Sequence, residues 1–521
     1  MPVTILATRD GKLDAADQPA FAQLVQRLTT KPSKVMVHLH GGLTNETDGR
    51  ATAARLAGAA PGGFGLGDDW EQIYVVWRTG FLETLQTNWP DLLEDDRLYR
   101  TVLKKILGFV ASKLGVQDGS SRSVFDAVSL SAREIDRRLA NPPDGDPFVD
   151  VSLLLTDSTN AGARVVTVQN ETDAELDAQF SLSLQLDSEF MDVAEDVSAA
   201  LTSEQTQGRT VLPNGDITRG SKIIDDLDPE LKAGLIGTSS TSAPGRTEAS
   251  GRFVVTSVEV AKFLIKHAVA IAIRVIRRFR EQRDHGFYPT TVEELVREMY
   301  GARVGSAIWG MMKKDAADHF TDHGFGAALV AAFVASPPTR LAISGHSAGS
   351  IWATQMVNAL KPVPDPPRLR IAFMAPAVRM DLFADAVKEA TPVIEGFRMF
   401  AMSDDLEAKD SLLGPGKGFV YPRSLLYLVS GICEENDDKA FADAPLLGMA
   451  RFLKGDPATW KDASQIAAAQ ASIAYVTGSP HCVAYSKTTG VPGKSTTSIS
   501  HGGFDDDPAT LESIVSFFSE P

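Results

Sequence analysis

Residues 340–360, RLAISGHSAGSIWATQMVNAL, constrain this chain more than any other segment. A short apolar run, RLAIS, stops at Gly345-His346-Ser347-Ala348-Gly349. A helical pattern follows at once, with Ile351, Trp352, Met356, Val357 and Leu360 on its apolar face. A strand that reverses into a helix within five residues crowds its own backbone, so small residues must flank the turn. Such a turn pushes the serine out at the carboxyl edge of a sheet. The helix N-terminus, with its free amides and positive dipole end, then points at the serine. The segment therefore predicts an α/β sheet with Ser347 exposed to chemistry at one edge.

The rest of the chain supplies strands for that sheet from both of its ends. Apolar runs at 3–7, 34–39 and 72–77 are separated by helical patterns at 16–28 and 49–59. In the first of these helices Phe21, Leu24, Val25 and Leu28 recur at helical spacing. Later runs at 340–344, 370–374, 397–402 and 472–477 repeat the alternation. A terminal helix over 508–518 opens with Asp507 as N-cap and a proline in its first turn. Strands separated by helices imply parallel pairing with crossover connections. Residues 81–309 break this rhythm with helical stretches at 92–114, 124–139, 254–283 and 291–300, and a Gly/Ser/Thr-rich loop at 237–251. The expected organisation is one α/β core from 1–80 and 310–521, with 81–309 as a mainly helical insertion.

Strand, G-x-S-x-G and helix in that order resemble the nucleophile elbow of the α/β-hydrolase superfamily, in its lipase and esterase branch. The resemblance covers residues 1–80 and about 310–521 and implies an α/β-hydrolase fold with a helical cap. It implies an oxyanion hole on the loop after an early strand. His40-Gly41-Gly42-Leu43 looks like the HGG-type motif, so amides from Gly41, Gly42 or Leu43 and from Ala348 would meet the developing negative charge. It implies a base on a loop before the last helix, where His501 stands. His481 follows the run 472–477 too closely and is flanked by Pro480 and Cys482. It implies an acid between serine and histidine in chain order. Asp404, just past the strand run 397–402, leads there; Asp405, Asp410 and Glu407 are alternatives, and Asp381 is an outside candidate. The implied activity is a serine hydrolase cleaving carboxylic esters, lipid esters among them, through an acyl-serine and without cofactor or metal. Amide or peptide hydrolysis, acyl transfer and a non-catalytic scaffold on the same fold remain alternatives.

Other classes are disfavoured. The 521 residues carry 51 Lys plus Arg against 67 Asp plus Glu, a net charge of −16 that argues against nucleic-acid binding. Cys433 and Cys482 form no CxxC pair, so no disulfide framework or cysteine zinc cluster is expected. The first residues, MPVTILATRDGKLD, hold no signal-peptide h-region, and a cytoplasmic location is expected. The apolar stretch 254–279 carries Glu259, Lys262, Lys266 and Arg274 and reads as a half-buried helix rather than a membrane span. Arg274, Arg277, Arg278, Arg280 and Arg283 near its end leave a peripheral membrane contact as a second reading. His319 and His323, four apart, find no third ligand, so no metal site is expected. The GKS at 493–495 lacks the glycine and helix of a phosphate loop, and GPGKG at 414–418 fails likewise. His38 and His40 share one strand face, and His40 is expected to organise the oxyanion loop. The insertion is expected to cap an apolar pocket, with Met311-Met312 lining it, or to dock a protein partner or a second copy.

Overall fold

The structure is a computed structural model that describes residues 2–30, 34–42, 45–77, 97–114, 130–156, 171–206, 227, 229–238, 256–301, 306–412, 419–434, 443–454 and 463–521. Eight strands form a single sheet: β1 Val3–Arg9, β2 Lys12–Leu13, β3 Lys34–Leu39, β4 Trp70–Trp77, β5 Arg340–His346, β6 Leu369–Met374, β7 Ile394–Ala401 and β8 Cys482–Tyr485. They lie in the order β2-β1-β4-β3-β5-β6-β7-β8. Only the β1–β2 hairpin is antiparallel; the other pairs are parallel. Both faces are covered, as parallel sheets require. The two-residue period of β3 sends Val35, Val37 and Leu39 into one apolar cluster and Met36 into the other.

The second cluster is closed by the helices Glu46–Leu56 and Pro508–Ser519, through Leu56, Leu511, Ile514 and Phe518. The last of these helices starts as its sequence predicts, with the Asp507 carboxylate accepting from the Thr510 amide and Pro508 in the first turn. The first face is covered by Gln18–Thr30, Phe325–Ala335, Gly349–Leu360 and Met380–Val387.

The winding of the chain places the site. From β3 the chain moves outward to β4 on one side; from β5 it steps through β6, β7 and β8 on the other. The adjacent strands β3 and β5 therefore flank a topological switch point. In open α/β sheets ligands bind in the crevice beyond the carboxyl ends there. In register Leu39 lies opposite Gly345, so the loop that starts at His40 adjoins the turn at Ser347.

Between β4 and β5 every described element is a helix: Arg97–Lys113, Ala132–Ala140, Val149–Thr156, Asp173–Gln185, Ser188–Thr206, Pro229–Thr238, Ser257–Arg280, Phe287–Met299, Ser306–Asp318 and Phe325–Ala335. The longest, Ser257–Arg280, opens with a capping box between Thr256 and Glu259. Its Leu264, Ile271, Val275 and Ile276 are buried, each worth about 1.5–3 kcal/mol of transfer free energy. They join the same apolar cluster as β3 and β5, so this helical region and the sheet share a core.

The arginines at the end of that helix face inward partners. Arg274 pairs with Glu294 at 2.8 Å and Glu298 at 2.6 Å, Arg278 with Glu293 at 2.7 Å, and Arg283 with Asp443 at 2.7 Å. Arg277 pairs with Asp173, and Arg280 donates to the Glu171 carbonyl at 3.0 Å. Of these pairs, Arg277 and Asp173 stand at the surface, 39% and 41% exposed, whereas Arg278 and Arg283 are buried with their carboxylates. Among the described residues no helix is long and apolar enough to cross a membrane.

One expected strand is corrected. Residues 472–477 are not a strand but the end of the helix Ala463–Thr477, which follows from an alanine-rich run of high helix propensity. Its buried residues Gln465, Ala469, Ser472 and Val476 keep helical spacing, and the Ser472 hydroxyl donates to the Met380 carbonyl at 2.9 Å. The last strand is β8, so His481 precedes it, stacked on Tyr475 with ring centroids 4.3 Å apart. Residues 239–251 of the expected loop, and the GPGKG run at 414–418, lie outside the described residues.

Candidate active site

Ser347 follows β5 with φ of 50°, in the left-handed region that side chains rarely adopt. Such a conformation costs about 1–3 kcal/mol and persists only when its surroundings enforce it. Here the Ser347 amide donates to the Met374 carbonyl at 2.8 Å, and the Ser347 carbonyl accepts from Ala377 N at 3.1 Å and from the Ser350 hydroxyl at 2.6 Å. A Cβ on Gly349 would stand 2.5 Å from the Leu39 carbonyl oxygen, and one on Gly345 would stand 3.0 Å from the Gly349 carbonyl carbon. The small residues around the serine are thus a steric requirement of this turn.

The loop after β3 packs directly on it. A Cβ on Gly41 would lie 3.3 Å from the Ser347 Cβ, and one on Gly42 would lie 3.0 Å from the Ala348 Cβ. Ala348 is the N-cap of Gly349–Leu360, and in the first turn the Ser350 and Ile351 amides bond the Ser347 and Ala348 carbonyls at 3.1 and 2.9 Å. Leu43, the third residue expected here, lies outside the described residues. His40 ties this loop to β4. Its Nε2 accepts from the Trp77 amide at 3.2 Å, which leaves the proton on Nδ1 to donate to the Gly41 carbonyl at 2.6 Å. Burial holds its pKa down at about 4, so the ring stays neutral in that tautomer. His38, on the same face, sits between Phe64 and Tyr74 at 5.6 and 5.7 Å.

His501 opens a short 3-10 turn after β8, and its Nε2 stands 2.9 Å from the Ser347 hydroxyl oxygen. Both residues are buried, at 3% and 1% exposure. To accept the serine proton at Nε2 the ring must carry its own proton on Nδ1, a buried atom with no hydrogen-bond partner among the described residues. Burial, and then the neighbouring His346, lower the His501 pKa to about 3. His346 stacks on His501 with centroids 5.6 Å apart, and its Nε2–H donates to the His501 carbonyl at 2.9 Å. Its Nδ1 lies 3.6 Å from an Asp505 carboxylate oxygen. Burial alone would lower the His346 pKa, but Asp505 outweighs it and the net shift is upward. Burial likewise opposes the charge on Asp505, yet His346 first, then His38 and Arg55, hold its pKa at about 2. Sequence reasoning missed this pair. Its only signals are the histidine ahead of the serine in GHSAG and the acidic run after His501.

The acids are sorted by a turn that the strand pattern does not reveal. After β7 the chain forms the short helix Asp404–Glu407, which turns Asp404 and Asp405 to solvent. The favoured Asp404 is exposed and makes its printed side-chain bond elsewhere: its carboxylate accepts from the Tyr427 hydroxyl at 2.6 Å. Glu407 is fully buried against the Ser424 hydroxyl, and burial pushes its pKa up to about 8. Asp410 is the acid that reaches the histidine loop, accepting from the His501 backbone amide at 2.8 Å. Burial raises its pKa, an effect partly offset by that amide. Asp381 is held by Arg379 at 3.0 Å and by the Leu382 amide at 2.7 Å.

The remaining candidates lie as follows. His319 bonds the Thr8 hydroxyl at 3.0 Å and the Asp315 carbonyl at 2.7 Å, while His323 is exposed. Among the described residues no cluster of three or more His, Cys, Asp or Glu could hold a metal ion. Met311 is 61% exposed, whereas Met312 is buried against Gly42. Compared with known proteins, the chain matches no family model, no curated protein and no solved structure.

Proposed function

We propose that this protein is a serine hydrolase of the α/β-hydrolase type that cleaves carboxylic esters through an acyl-serine intermediate. The observation that carries this reading is the 2.9 Å approach of His501 Nε2 to the hydroxyl of a serine held at positive φ. In attack, His501 Nε2 takes the Oγ proton as Oγ bonds to the ester carbon. The resulting oxyanion would be met by amides of the Gly41–Gly42 loop and of Ala348, where one donor is typically worth about 3–4 kcal/mol of barrier. The carbon–oxygen bond to the leaving alcohol then breaks, and His501 returns its proton to that alcohol. Water repeats the sequence to free the acid and regenerate the serine. Asp410 would serve as the carboxylate of the set. It already holds the backbone of His501, and the Nδ1–H of that residue has no acceptor among the described residues.

A fluorophosphonate tests the reading directly. Wild-type protein should be labelled covalently and should hydrolyse short-chain aryl esters, and Ser347→Ala should do neither while keeping its melting temperature within a few degrees. Folded wild-type protein that takes no label and turns over no ester would sink the proposal.

A further inference from the structure

The helix Ser306–Asp318 turns Trp309, Met312 and Ala316 inward, three and four positions apart, and all three are buried. It is pinned around Met312. The buried carboxylate of Glu434 accepts from the Trp309 indole at 2.7 Å and from the Lys313 ammonium at 2.6 Å. One turn further, the Asp315 carboxylate accepts from the Gly11 amide. Charge-assisted bonds of this kind are roughly twice as strong as neutral ones, so the backbone that carries Met312 is a fixed wall. The thioether lies on the glycine loop. A Cβ on Gly42 would stand 2.5 Å from Met312 Sδ and 3.0 Å from both Met312 Cε and Ala348 Cβ. Met312 and the Ala348 methyl thus close around Gly42 from two sides.

We infer that Met312 is a specificity-determining residue that walls the acyl side of the site and restricts it to esters with short acyl groups. The inference rests on the serine-esterase reading above. A tetrahedral carbon on Ser347 Oγ has three further directions. Its oxyanion must face the Gly41–Gly42 and Ala348 amides, and its leaving oxygen must face His501 Nε2, which protonates it. The acyl chain takes the remaining direction, away from His501. Met312, packed on Gly42 and Ala348 beside the oxyanion donors, borders the space that this chain enters, and its pinned backbone limits how far the thioether can withdraw. One methylene in such a pocket typically changes kcat/KM by about ten- to two-hundred-fold.

The test is the ratio of kcat/KM for p-nitrophenyl octanoate to that for p-nitrophenyl acetate. Wild-type protein should favour acetate. Met312→Ala should raise the octanoate-to-acetate ratio by about tenfold or more. Met312→Phe should lower turnover of the butyrate before that of the acetate. Met312→Leu, close in volume, should leave the ratio within roughly twofold and guards against variants that fail through misfolding. A wild-type preference for octanoate overturns the inference. So does an unchanged ratio in folded Ala and Phe variants that still hydrolyse acetate. Wild-type protein that hydrolyses no ester and takes no fluorophosphonate label removes the esterase reading itself, and this inference falls with it by a distinguishable result.

Discussion

His501 Nε2 lies 2.9 Å from Ser347 Oγ although 154 positions separate the two residues. The sheet produces this meeting, because both side chains leave loops beyond the carboxyl ends of parallel strands. Neither is free to drift. The serine is fixed by its bonds to Met374 and Ala377, and the histidine loop is gripped at its amide by Asp410 and at its carbonyl by His346.

That grip separates Asp410 from Asp404. Asn at 410 can still accept from the His501 amide but cannot balance the charge on a protonated imidazole. Asp410→Asn should therefore lower kcat for ester hydrolysis by about 10²–10⁴-fold with little change in melting temperature. Asp404→Asn, which touches only the Tyr427 hydroxyl among these groups, should stay within roughly threefold of wild type. Steady-state kinetics on the two variants decide the matter, and equal losses would refute the assignment.

The stacked pair of histidines makes a prediction in pH. His346 faces the Asp505 carboxylate, the His501 ring and carbonyl, the rings of His38 and His40, and the Asp506 carboxylate. Asp505 favours its protonated form, and that positive charge disfavours a second one on His501. His501 works as a base only when neutral, so the acid limb of kcat/KM should lie well below the ordinary histidine pKa of about 6.5. In His346→Asn the like charge is gone, the His501 pKa rises, and the acid limb should move up by about one pH unit or more. A purely structural His346 would lower activity without moving the limb.

The sheet was readable because its strands are short β-branched or apolar runs ending in glycine or in loop residues, as at 34–39 and 340–346. The segments that carry Ser347 and His501 stood out in the sequence because one is a turn with strict steric needs and the other the loop leading to the terminal helix. Residues 472–477 misled because Ile, Tyr and Val there continue an alanine-rich helix whose start lies outside the apolar run itself. The burial of the four nearby acids was not readable for a different reason. The single helical turn Asp404–Glu407 leaves Asp404 and Asp405 exposed and buries Glu407, and spacing along the chain carries no trace of it. The His346–Asp505 pair depends on side-chain directions across two loops, which no local pattern encodes.

His38 offers a stability test that leaves the nucleophile and base untouched. Both of its ring nitrogens are buried without a hydrogen-bond partner among the described residues, and burial lowers its pKa to about 3. Above about pH 6.5 the ring is neutral in both the folded and the unfolded chain, and it adds no pH dependence. As pH falls from there toward 3, the unfolded chain takes up a proton that the native chain refuses, so native stability declines. His40 and His501 share this sign, with pKa values lowered to about 4 and about 3, whereas His346 has the opposite sign. His38→Leu should therefore flatten the fall in melting temperature between about pH 7 and pH 5. At neutral pH it should be no less stable than wild type, because an unpaired buried polar group costs about 1–3 kcal/mol. Melting curves across that range measure both effects, and parallel pH profiles for the two proteins would show that His38 is not held neutral.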